Sequence, residues 1–343
     1  MKIVVLCGGN SSEREVSINS GYNVCKALRN MGDNAILIDA FFGTDDLNIF
    51  DKTVDTYDVE KARDEIREKS ESVEKIYKER NTFWGENTME ICMKSDIVFI
   101  ALHGKNGEDG RCQAAFDLRG VKYTGSGYEA SAIGMDKGMT KQIFEYKNVP
   151  TAKSVWLKKG DDTSLDKIGM EVPVVVKACN GGSSVGVELV MSEDEYDDAV
   201  KESFKYDNHI LVEKYIKGRE FSIGVINDKA LPVVEIIPKN GWYDYKNKYQ
   251  SGATEDVCPA NLSEEETVKM QQVAVSACKA IGYEAYARAD VMMDEDGNMY
   301  CLEINTLPGM TNTSMVPIEA NEIGIDFDHL CKKLVEISLE KYN

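Results

Sequence analysis

The feature that most constrains the fold is a series of short, largely apolar segments in the first third of the chain. Lys2–Cys7 precedes a double glycine, Ala35–Asp39 ends on a carboxylate, and Asp96–Leu102 leads into the polar stretch His103–Gly110. A predicted helix, Ser17–Met31, separates the first two segments. Short apolar strands that alternate with helices are typical of a parallel sheet covered on both faces. The sequence therefore predicts a doubly wound α/β domain whose ligands bind beyond the carboxyl ends of its strands.

Composition narrows the class of partner. Of 343 residues, 59 are acidic and 40 are Lys or Arg, which gives a formal net charge of −19. Such a surface repels nucleic-acid backbones and anionic membranes, so we expect neither as a partner. The hydrophobic fraction of 43% excludes a chain that is disordered throughout. These values indicate a globular protein that binds small molecules and holds any anionic ligand in a local basic pocket.

Cysteine usage indicates the cellular compartment. The nine cysteines include no C-x-x-C pair, so free thiols in a reducing compartment are a better interpretation than disulfides or a zinc site. The apolar run at the N-terminus is too short for a signal peptide. No segment approaches the ~20 consecutive apolar residues of a transmembrane helix. We therefore expect a cytoplasmic protein.

The rest of the chain predicts two further units that mix strands and helices. In the second unit we predict strands at Pro173–Ala178, Val187–Val190 and Ile210–Tyr215 and a helix at Ser192–Phe204. In the third we predict strands at Glu220–Val225 and Leu231–Ile237, a hairpin within Ala287–Asn305, and a terminal helix. The predicted domain boundaries are residues 1–135, 136–218 and 219–343.

The stretch Tyr57–Arg80 carries charges of both signs at helical spacing. Its pairs four residues apart are Lys61/Glu65, Glu71/Lys75 and Glu74/Lys78. Such pairs are typical of an exposed helix stabilised by ion pairs. We assign this stretch no chemistry.

Residues 238–260 form an irregular stretch that is rich in aromatic and basic side chains. Stretches longer than ~12 residues without secondary structure inside a domain are usually lids or binding loops. The composition therefore predicts a mobile loop over a ligand site. Its informative side chains are Trp242, Tyr243, Tyr245, Lys246, Lys248 and Tyr249.

The segment Gly125–Ala130 matches the dinucleotide-binding pattern G-x-G-x-x-G/A, after a predicted strand at Val121–Thr124. In a Rossmann unit the pattern occupies the first turn between strand and helix, and an acidic residue about twenty positions later ends a strand. Glu145 does not end a predicted strand. A tight turn before a helix is therefore favoured, and a nicotinamide-dependent enzyme is the alternative.

The segment Gly182–Gly186 matches G-x-S-x-G, the nucleophile elbow of serine hydrolases. The elbow requires a helix directly after the serine, whereas Val187–Val190 is a predicted strand. Only three histidines are present to act as a base. A glycine- and serine-rich loop between strands, preceded by Lys177, instead favours a flap whose N–H groups cover phosphates.

Two carboxylates are predicted to oppose each other in the third unit. A two-residue turn at Asp296-Gly297 would place Asp290 directly opposite Glu303, with Asn305 on the same face. Opposed like charges destabilise a hairpin unless something compensates them. Mg²⁺ accepts carboxylate and amide oxygens and keeps room for substrate phosphates. The pattern predicts a metal site; solvated carboxylates or another register are the alternatives.

Several motifs follow one another in an order that resembles the D-alanine–D-alanine ligases of the ATP-grasp superfamily. The resemblance extends over nearly the whole chain and is weakest across Phe42–Lys94. It implies an ATP-grasp fold, in which two α+β domains clasp the nucleotide behind the doubly wound N-terminal domain. The matching stretches are Gly8–Ser17, Ala101–Gly110, Tyr123–Gly127, Met135–Lys137, Val176-Lys177, Gly182–Gly186, Glu213-Lys214, Tyr243–Tyr249, Arg288–Met292 and Glu303–Thr311.

The resemblance also implies an activity. These ligases use ATP to phosphorylate the carboxylate of one D-alanine, and the amine of a second D-alanine attacks the acyl phosphate. The product is the D-alanyl-D-alanine of peptidoglycan precursors, from which the cell wall is built. The implied cofactors are ATP and two Mg²⁺ ions, with Mn²⁺ as a substitute, and the implied assembly is a homodimer through the first domain.

The resemblance assigns the nucleotide and metal residues by motif position. Phosphates would be bound by Lys137, Lys177, Ser183 and Ser184; adenine by Glu213 and the backbone of Lys214–Ile216; and ribose by Glu220. The metal ligands would be Asp290, Glu303 and Asn305.

The remaining motifs imply substrate and lid residues. The first D-alanine would be bound by Glu13 at its ammonium group and His103 near its carboxylate, and the second by Ser314 at its carboxylate. Arg288 and the Gly309 N–H would stabilise the oxyanion of the tetrahedral intermediate. Lys248 would reach the γ-phosphate, and Tyr249 would hydrogen-bond Ser183 and hold the loop closed. A closed lid excludes water that would hydrolyse the acyl phosphate.

Few positions bear on the choice of second substrate. Tyr249 matches the members that form a dipeptide, and the apolar Met315 suits a methyl better than a hydroxymethyl group. We favour D-alanine in both sites, with D-serine as the second substrate as the alternative. A non-catalytic nucleotide sensor with the same fold is less favoured, because Arg288, Glu303 and Asn305 are all present.

Overall fold

The N-terminal part of the chain folds around three parallel strands in the order β2-β1-β3. In this computed structural model, which describes residues 1–51, 56–182, 185–239 and 254–343, they are β1 (Lys2–Cys7), β2 (Asn34–Asp39) and β3 (Ile97–Ile100). Nearly all of their side chains are buried, as expected for a sheet covered on both faces. The short apolar segments therefore form the predicted parallel sheet.

Helix α1 connects β1 to β2 and begins at Arg14 rather than at the predicted Ser17. Its buried face includes Ile18, Val24 and Leu28, which recur at the spacing of one helix face. The other helices of this part are α2 (Val59–Glu68), α3 (Val73–Arg80), α4 (Thr88–Met93), α5 (Arg111–Asp117) and α6 (Tyr128–Met135).

The charged stretch forms two helices rather than the single predicted helix. A 3₁₀ turn at Ser70–Ser72 separates α2 from α3. The pairs Lys61–Glu65 (3.8 Å) and Glu74–Lys78 (2.6 Å) are exposed, as predicted. The break coincides with a contact that local spacing does not encode, because the Arg14 guanidinium donates to the Ile66 carbonyl (3.2 Å) and to Ser70 Oγ (3.0 Å).

A second, antiparallel sheet has the strand order β4-β7-β5-β6. Helix α9 beside it begins after a capping box formed by Ser192 and Glu195, as its sequence predicts. The elements are α7 (Lys137–Lys147), β4 (Ser154–Lys158), α8 (Leu165–Ile168), β5 (Val174–Ala178), β6 (Val187–Val190), α9 (Glu193–Ser203) and β7 (His209–Lys214).

The third sheet has the order β11-β10-β8-β12-β13, with β9 paired to β8. Its strands are β8 (Gly218–Ile226), β9 (Lys229–Ala230), β10 (Val234–Pro238), β11 (Thr254–Val257), β12 (Tyr286–Asp294) and β13 (Met299–Asn305). Helix α10 (Glu264–Ala280), absent from the sequence prediction, covers one face of this sheet with side chains such as Met270, Ala274 and Cys278.

The chain ends in helices α11 (Met315–Glu322) and α12 (Phe327–Glu340). Leu330 and Leu334 of α12 pack in the core of the first sheet, with Ile3 and Val5. Lys332 Nζ lies 2.7 Å from Asp33 at the same junction. The C-terminal end of the chain thus returns to the N-terminal sheet. In the part of the chain that the structure describes, no helix combines the length and apolar content needed to cross a bilayer.

Candidate active site

A cavity of about 310 Å³ lies between the second and third sheets. Its apolar lining comes from Val175, Val187, Ile216, Ile236, Met292 and Leu302. Its charged lining includes Lys137, Lys177, Glu213, Glu220, Asp290 and Glu303, so the structure brings most of the predicted nucleotide and metal residues together. Apolar walls with a few converging charged groups suit a planar base joined to phosphates.

Glu213 is the centre of the charged groups on the second sheet. It lies on β7, opposite Val175 of β5 in the register of the two strands, and its side chain is 3% exposed. Lys177 Nζ lies 2.9 Å from one carboxylate oxygen and Lys141 Nζ lies 2.5 Å from the other. The sequence analysis missed Lys141. Its position one turn after Lys137, on the same helix face, is the signal that could have found it.

The pKa values of this cluster follow from burial and pairing. Burial alone would raise the pKa of Glu213, but Lys141 and Lys177 outweigh it and lower that pKa. Burial acts to lower the pKa of Lys177, but the charge and hydrogen bond of Glu213 raise it overall. Burial lowers the pKa of Lys141, an effect that Glu213 opposes. The cluster therefore keeps Glu213 ionised beside Lys177.

Lys137 bridges the two sides of the cavity. It is the first residue of α7, and Asp136 caps that helix through the Met139 N–H. The Lys137 ammonium donates to the Gly181 carbonyl (2.7 Å) of the flap and lies 3.5 Å from Glu303 on the third sheet. The ammonium is thus placed where phosphates between the flap and the metal residues would be contacted.

The hairpin of β12 and β13 corrects one prediction and confirms another. The turn contains three residues, 295–297, rather than two, because the Asp294 N–H donates to the Asn298 carbonyl and Gly297 adopts a positive φ. That turn alone would shift the register by one residue. A β-bulge between Val291 and Asp290 leaves Leu302 without a partner and restores the pairing of Asp290 with Glu303. The opposed carboxylates are confirmed, although the predicted two-residue turn is wrong.

The residues around these carboxylates test whether a cation fits. Arg288 pairs with Asn305 in the register, and its guanidinium donates twice to Asp290, at 2.8 and 2.7 Å. Ser222 lies opposite Asp290 on β8; its buried hydroxyl has no hydrogen-bond partner among the described residues. Two carboxylates and an amide oxygen suit a hard cation. The described residues contain no group of three His, Cys, Asp or Glu side chains placed to hold a metal, so further ligands would come from phosphate oxygens and water.

Glu13 precedes α1, at the carboxyl end of β1. A Cβ added to Gly104 would lie 2.8 Å from the Glu13 carboxylate, and one added to Gly182 would lie 3.1 Å from it. The carboxylate therefore lies between the loop after β3 and the flap of the second sheet. Glycine at both positions leaves room for this close approach.

His103 connects the N-terminal loops to the loop before α11. Its side chain is buried, with Nε2 3.1 Å from Ser20 Oγ and Nδ1 3.4 Å from Glu108. Ser20 Oγ also accepts a long hydrogen bond (3.5 Å) from the Met310 N–H, next to Gly309. Ser20, a buried hydroxyl on the apolar face of α1, was missed by the sequence analysis. Through Ser20, His103 is connected to the residue after Gly309, whose N–H is predicted to bind the oxyanion.

The loop before α11 positions the residues predicted for the second substrate. Ser314 is the N-cap of α11, and Met315 is the first, half-buried residue of that helix. Ser314 Oγ accepts a hydrogen bond from the Thr311 N–H at 3.1 Å. A Cβ on Gly309 would lie 2.9 Å from Ser314 Oγ. Glycine at this position therefore leaves room for the Ser314 hydroxyl beside the backbone of Gly309.

Glu319 of α11 is a further buried acid that the sequence analysis missed. It lies over Gly224 of β8, whose N–H donates to Glu319 Oε2 at 2.6 Å; the other oxygen has no hydrogen-bond partner in the described part of the chain. Burial raises the pKa of Glu319 to about 8. An acid between the apolar Val316 and Ala320 on one helix face was the available signal.

Some predicted site residues lie outside the described residues: Ser183, Ser184, Lys248, Tyr249 and the centre of the predicted loop. Lys214 is described, and its side chain is exposed; Glu213 and Ile216 line the cavity, whereas the Lys214 N–H donates to the Lys153 carbonyl. The flap is followed by strand β6 and not by a helix, which agrees with the rejection of a nucleophile elbow. The Gly125 and Gly127 amides donate to Ser338 and Glu284, and this argues against pyrophosphate binding at Gly125–Ala130.

Comparisons with known proteins agree with this geometry. The family model "D-ala D-ala ligase N-terminus" matches residues 2–126, and "D-ala D-ala ligase C-terminus" matches residues 143–336. The D-alanine–D-alanine ligase of Lacticaseibacillus casei (strain BL23) is 40% identical over 360 residues, covering 100% of this chain and 97% of the relative. That of Pediococcus pentosaceus is 39% identical over 343 residues, covering 98% and 97%.

Solved structures agree as well. The crystal structure of the D-alanine–D-alanine ligase from Bacillus anthracis complexed with ATP has a TM-score of 0.76 at 29% identity and covers 99% of this chain and 98% of its own. A second structure of the Bacillus anthracis ligase has a TM-score of 0.77 at 31% identity, with the same coverage. The fold is thus the predicted ATP-grasp fold, and the chain belongs to the family of D-alanine–D-alanine ligases.

Proposed function

We propose that this protein uses ATP to join two D-alanines into D-alanyl-D-alanine for peptidoglycan precursors. One observation carries the proposal: Asp290 lies opposite Glu303, with Arg288 and Asn305 on the same sheet face, at a cavity that also contains the Lys177–Glu213 pair. A nucleotide sensor would need the lysines and Glu213. It would not need an arginine and two carboxylates arranged for a reacting phosphoryl group.

The nucleotide would lie in the cavity between the second and third sheets. Lys137 and Lys177 would bind its phosphates, with the flap residues Ser183 and Ser184 covering them. Glu213 and the Lys214–Ile216 backbone would bind adenine, since they follow one another on β7 and the adjoining link, beside the apolar lining. Glu220, opposite Met292 in the sheet register, would bind the ribose.

Asp290, Glu303 and Asn305 would hold two Mg²⁺ ions, or Mn²⁺ in their place. Bound there, the ions would supply positive charge to the transferring phosphoryl group. The residues around them have separate tasks. Arg288 holds Asp290 in place through two hydrogen bonds, and the Asn305 side-chain oxygen accepts the Leu307 N–H at 3.0 Å, which fixes the amide for a ligand role.

The two amino acids would meet between the N-terminal loops and the loop before α11. Glu13 would take the first ammonium group and His103, held by Ser20 and Glu108, would lie near the first carboxylate. Gly309 and Arg288 would bind the oxyanion of the tetrahedral intermediate.

The second D-alanine would accept a hydrogen bond from the Ser314 hydroxyl at its carboxylate and place its methyl group near Met315. Lys248 and Tyr249 of the loop 238–260 would close the site, with Tyr249 bonded to Ser183. The half-buried Met315 favours the methyl of D-alanine over the hydroxymethyl of D-serine.

Three further features stay proposals. The protein would act in the cytoplasm, a setting supported by its free cysteines, eight of which are buried. It would form a homodimer through its first domain, as the resemblance implies. Its domains would span residues 1–135, 136–218 and 219–343, although α12 of the last range packs on the first sheet.

The test is ATP-dependent phosphate release with Mg²⁺, measured with D-alanine, L-alanine, D-serine and D-lactate, each alone and paired with D-alanine. We expect release with D-alanine alone and a dipeptide of the expected mass. Turnover only with a D-alanine/D-serine pair would contradict the assignment of the second substrate. ATP binding without turnover in any mixture would favour the sensor.

A further inference from the structure

Lys141 is a buried cation to which the proposed reaction assigns no task. It lies one turn after Lys137 on α7, and its side chain is only 2% exposed. Burying a lysine charge is costly unless the charge is paired and hydrogen-bonded. The burial of the Lys141 charge therefore needs an electrostatic explanation.

The contacts of Lys141 reach both sides of the cavity. Its ammonium lies 2.5 Å from Glu213 Oε2 and donates to Thr151 Oγ1 at 2.5 Å. It also approaches the Cys301 carbonyl at 3.5 Å, two residues before Glu303 on β13. The same carbonyl accepts the Thr151 hydroxyl at 2.7 Å. Lys141 is thus fixed between the adenine side of the site and the strand that carries a proposed metal ligand.

The Glu213 carboxylate bridges two ammonium groups. Lys141 contacts one oxygen, and Lys177 contacts the other at 2.9 Å. The two lysines and one carboxylate give this cluster a net charge of one positive unit. Without Lys141 the carboxylate would balance Lys177 completely, and the cluster would be neutral.

That difference matters because charges at a partly buried site interact strongly. Two unit charges several ångströms apart at such a site interact strongly enough to change a dissociation constant by at least about tenfold. A neutral cluster would therefore attract the phosphates of a nucleotide far less than a cluster with one positive charge. Adenosine has no phosphates and would not lose this attraction, whereas a change in how Glu213 holds the adenine would weaken both ligands alike.

We propose that Lys141 is a positioning residue that neutralises Glu213, so that the charge of Lys177 stays available to the phosphates of the nucleotide. The inference rests on the proposed nucleotide site. In this proposal Lys141 balances the charge of the Glu213 carboxylate and fixes its orientation. Lys141 itself would not contact the nucleotide.

The experiment measures the dissociation constants of ATP and adenosine by calorimetry in the full chain; the constant of adenosine divided by that of ATP gives the preference for phosphates. In K141M, which keeps the volume of the side chain, we expect the ratio to fall at least about tenfold. In K141M/E213Q the net charge of one unit is restored, and we expect the ratio to return to within about threefold of the parent. K147M removes an exposed lysine from the same helix and should leave the ratio unchanged.

These measurements distinguish a failure of the proposed nucleotide site from a failure of the role proposed for Lys141. A parent protein that does not bind ATP would contradict the proposed nucleotide site itself. Equal weakening of ATP and adenosine in K141M would give Lys141 a purely structural role and overturn this inference. If K141M does not fold, K141Q takes its place as the neutral variant, because its amide can still hydrogen-bond Glu213 and Thr151. A double variant that folds but has lost the preference for ATP would also overturn it.

Discussion

Two regions of the molecule are rich in ion pairs, the cavity between the second and third sheets and the helices α2 and α3. The distances are alike: Lys177 lies 2.9 Å from Glu213 in the cavity, and Lys78 lies 2.6 Å from Glu74 on α3. The surroundings differ, because the side chain of Glu213 is 3% exposed and that of Glu74 is 82% exposed. Water screens the second pair and not the first. The distance between two charged groups therefore does not by itself show how strongly they interact.

The Lys177–Glu213 pair of the cavity also joins two strands, whereas the Lys78–Glu74 pair lies on the outer surface of a single helix. Burial already restricts the side chains of the cavity pair, so less side-chain entropy remains to be lost on pairing. Removing one partner in the cavity leaves a buried charge uncompensated, which is expensive. Removing one on α3 exposes its partner to water that already surrounds it. The predictions below test this contrast, from the largest expected effect to the smallest.

The largest effect is expected for the opposed carboxylates. We expect D290N and E303Q each to lower kcat about a hundred- to a thousandfold, because each removes charge where a phosphoryl group is to be transferred. The measurement is phosphate release at saturating ATP and D-alanine, with thermal unfolding recorded on the same samples. The control is E295Q, an exposed carboxylate in the turn of the same hairpin. Near-normal turnover in folded D290N or E303Q would contradict the metal assignment.

The second prediction tests whether burial also determines the contribution of an ion pair to stability outside the cavity. Asp39 is 1% exposed and pairs with Arg14 at 2.5 Å, while its other oxygen accepts the Phe41 N–H at 2.8 Å. We expect D39N to lower the free energy of unfolding by roughly 3 kcal/mol, because Arg14 would keep a buried, unpaired charge. Chemical denaturation of parent and variant measures it. A loss as small as that of an exposed pair would show that burial is not the deciding factor.

The fold could be predicted from the sequence where local pattern was sufficient. The strands of the first sheet are short and apolar, and β6 and α9 carry clear boundary signals, so their positions follow from the residues themselves. Helix α10 was missed although its first turn contains the capping box of Ser263 and Glu266. The break between α2 and α3 lies where Arg14 donates to Ser70. Arg14 is distant in sequence, so no local pattern in residues 57–80 indicates the break.

The site shows the same limit. The pairing of Asp290 with Glu303 was predicted from a two-residue turn, yet it arises from a three-residue turn and a bulge at Leu302 that offset each other. Leu302 and Glu303 then both line the cavity, which a regular strand with alternating side chains would not allow. Lys141 and Glu319 were missed because their partners come from other elements of the fold.

The third prediction concerns Glu319, a buried acid with no cation bonded to it among the described residues. Its pKa is raised to about 8 from an ordinary value of 4.5, so the folded protein holds a proton that the unfolded chain releases. The free energy of unfolding should therefore fall as the pH rises between these values. We expect E319Q, relative to the parent, to gain about 2 kcal/mol of stability between pH 6 and pH 8.

Denaturation curves at several pH values for both proteins measure this gain. The matched control is E336Q, a carboxylate exposed on α12, whose stability should follow that of the parent at every pH. A constant difference between E319Q and the parent would show that Glu319 does not titrate between the two values. In that case the protonation of Glu319 would not contribute to the pH dependence of stability.

The smallest effect is expected on α3, where the contrast with the cavity is greatest. Lys78 donates to Glu74 at 2.6 Å, a contact as short as those in the cavity. Because both side chains are about three-quarters exposed or more, water replaces the lost partner, and K78M should change the melting temperature by less than about 1 °C. Turnover should not change, since the pair lies on the outer face of the helix. K141M in the same assay is the buried counterpart. If K78M lowered the melting temperature as much as K141M, distance and not burial would govern the weight of these ion pairs, and the contrast between the two regions would fail.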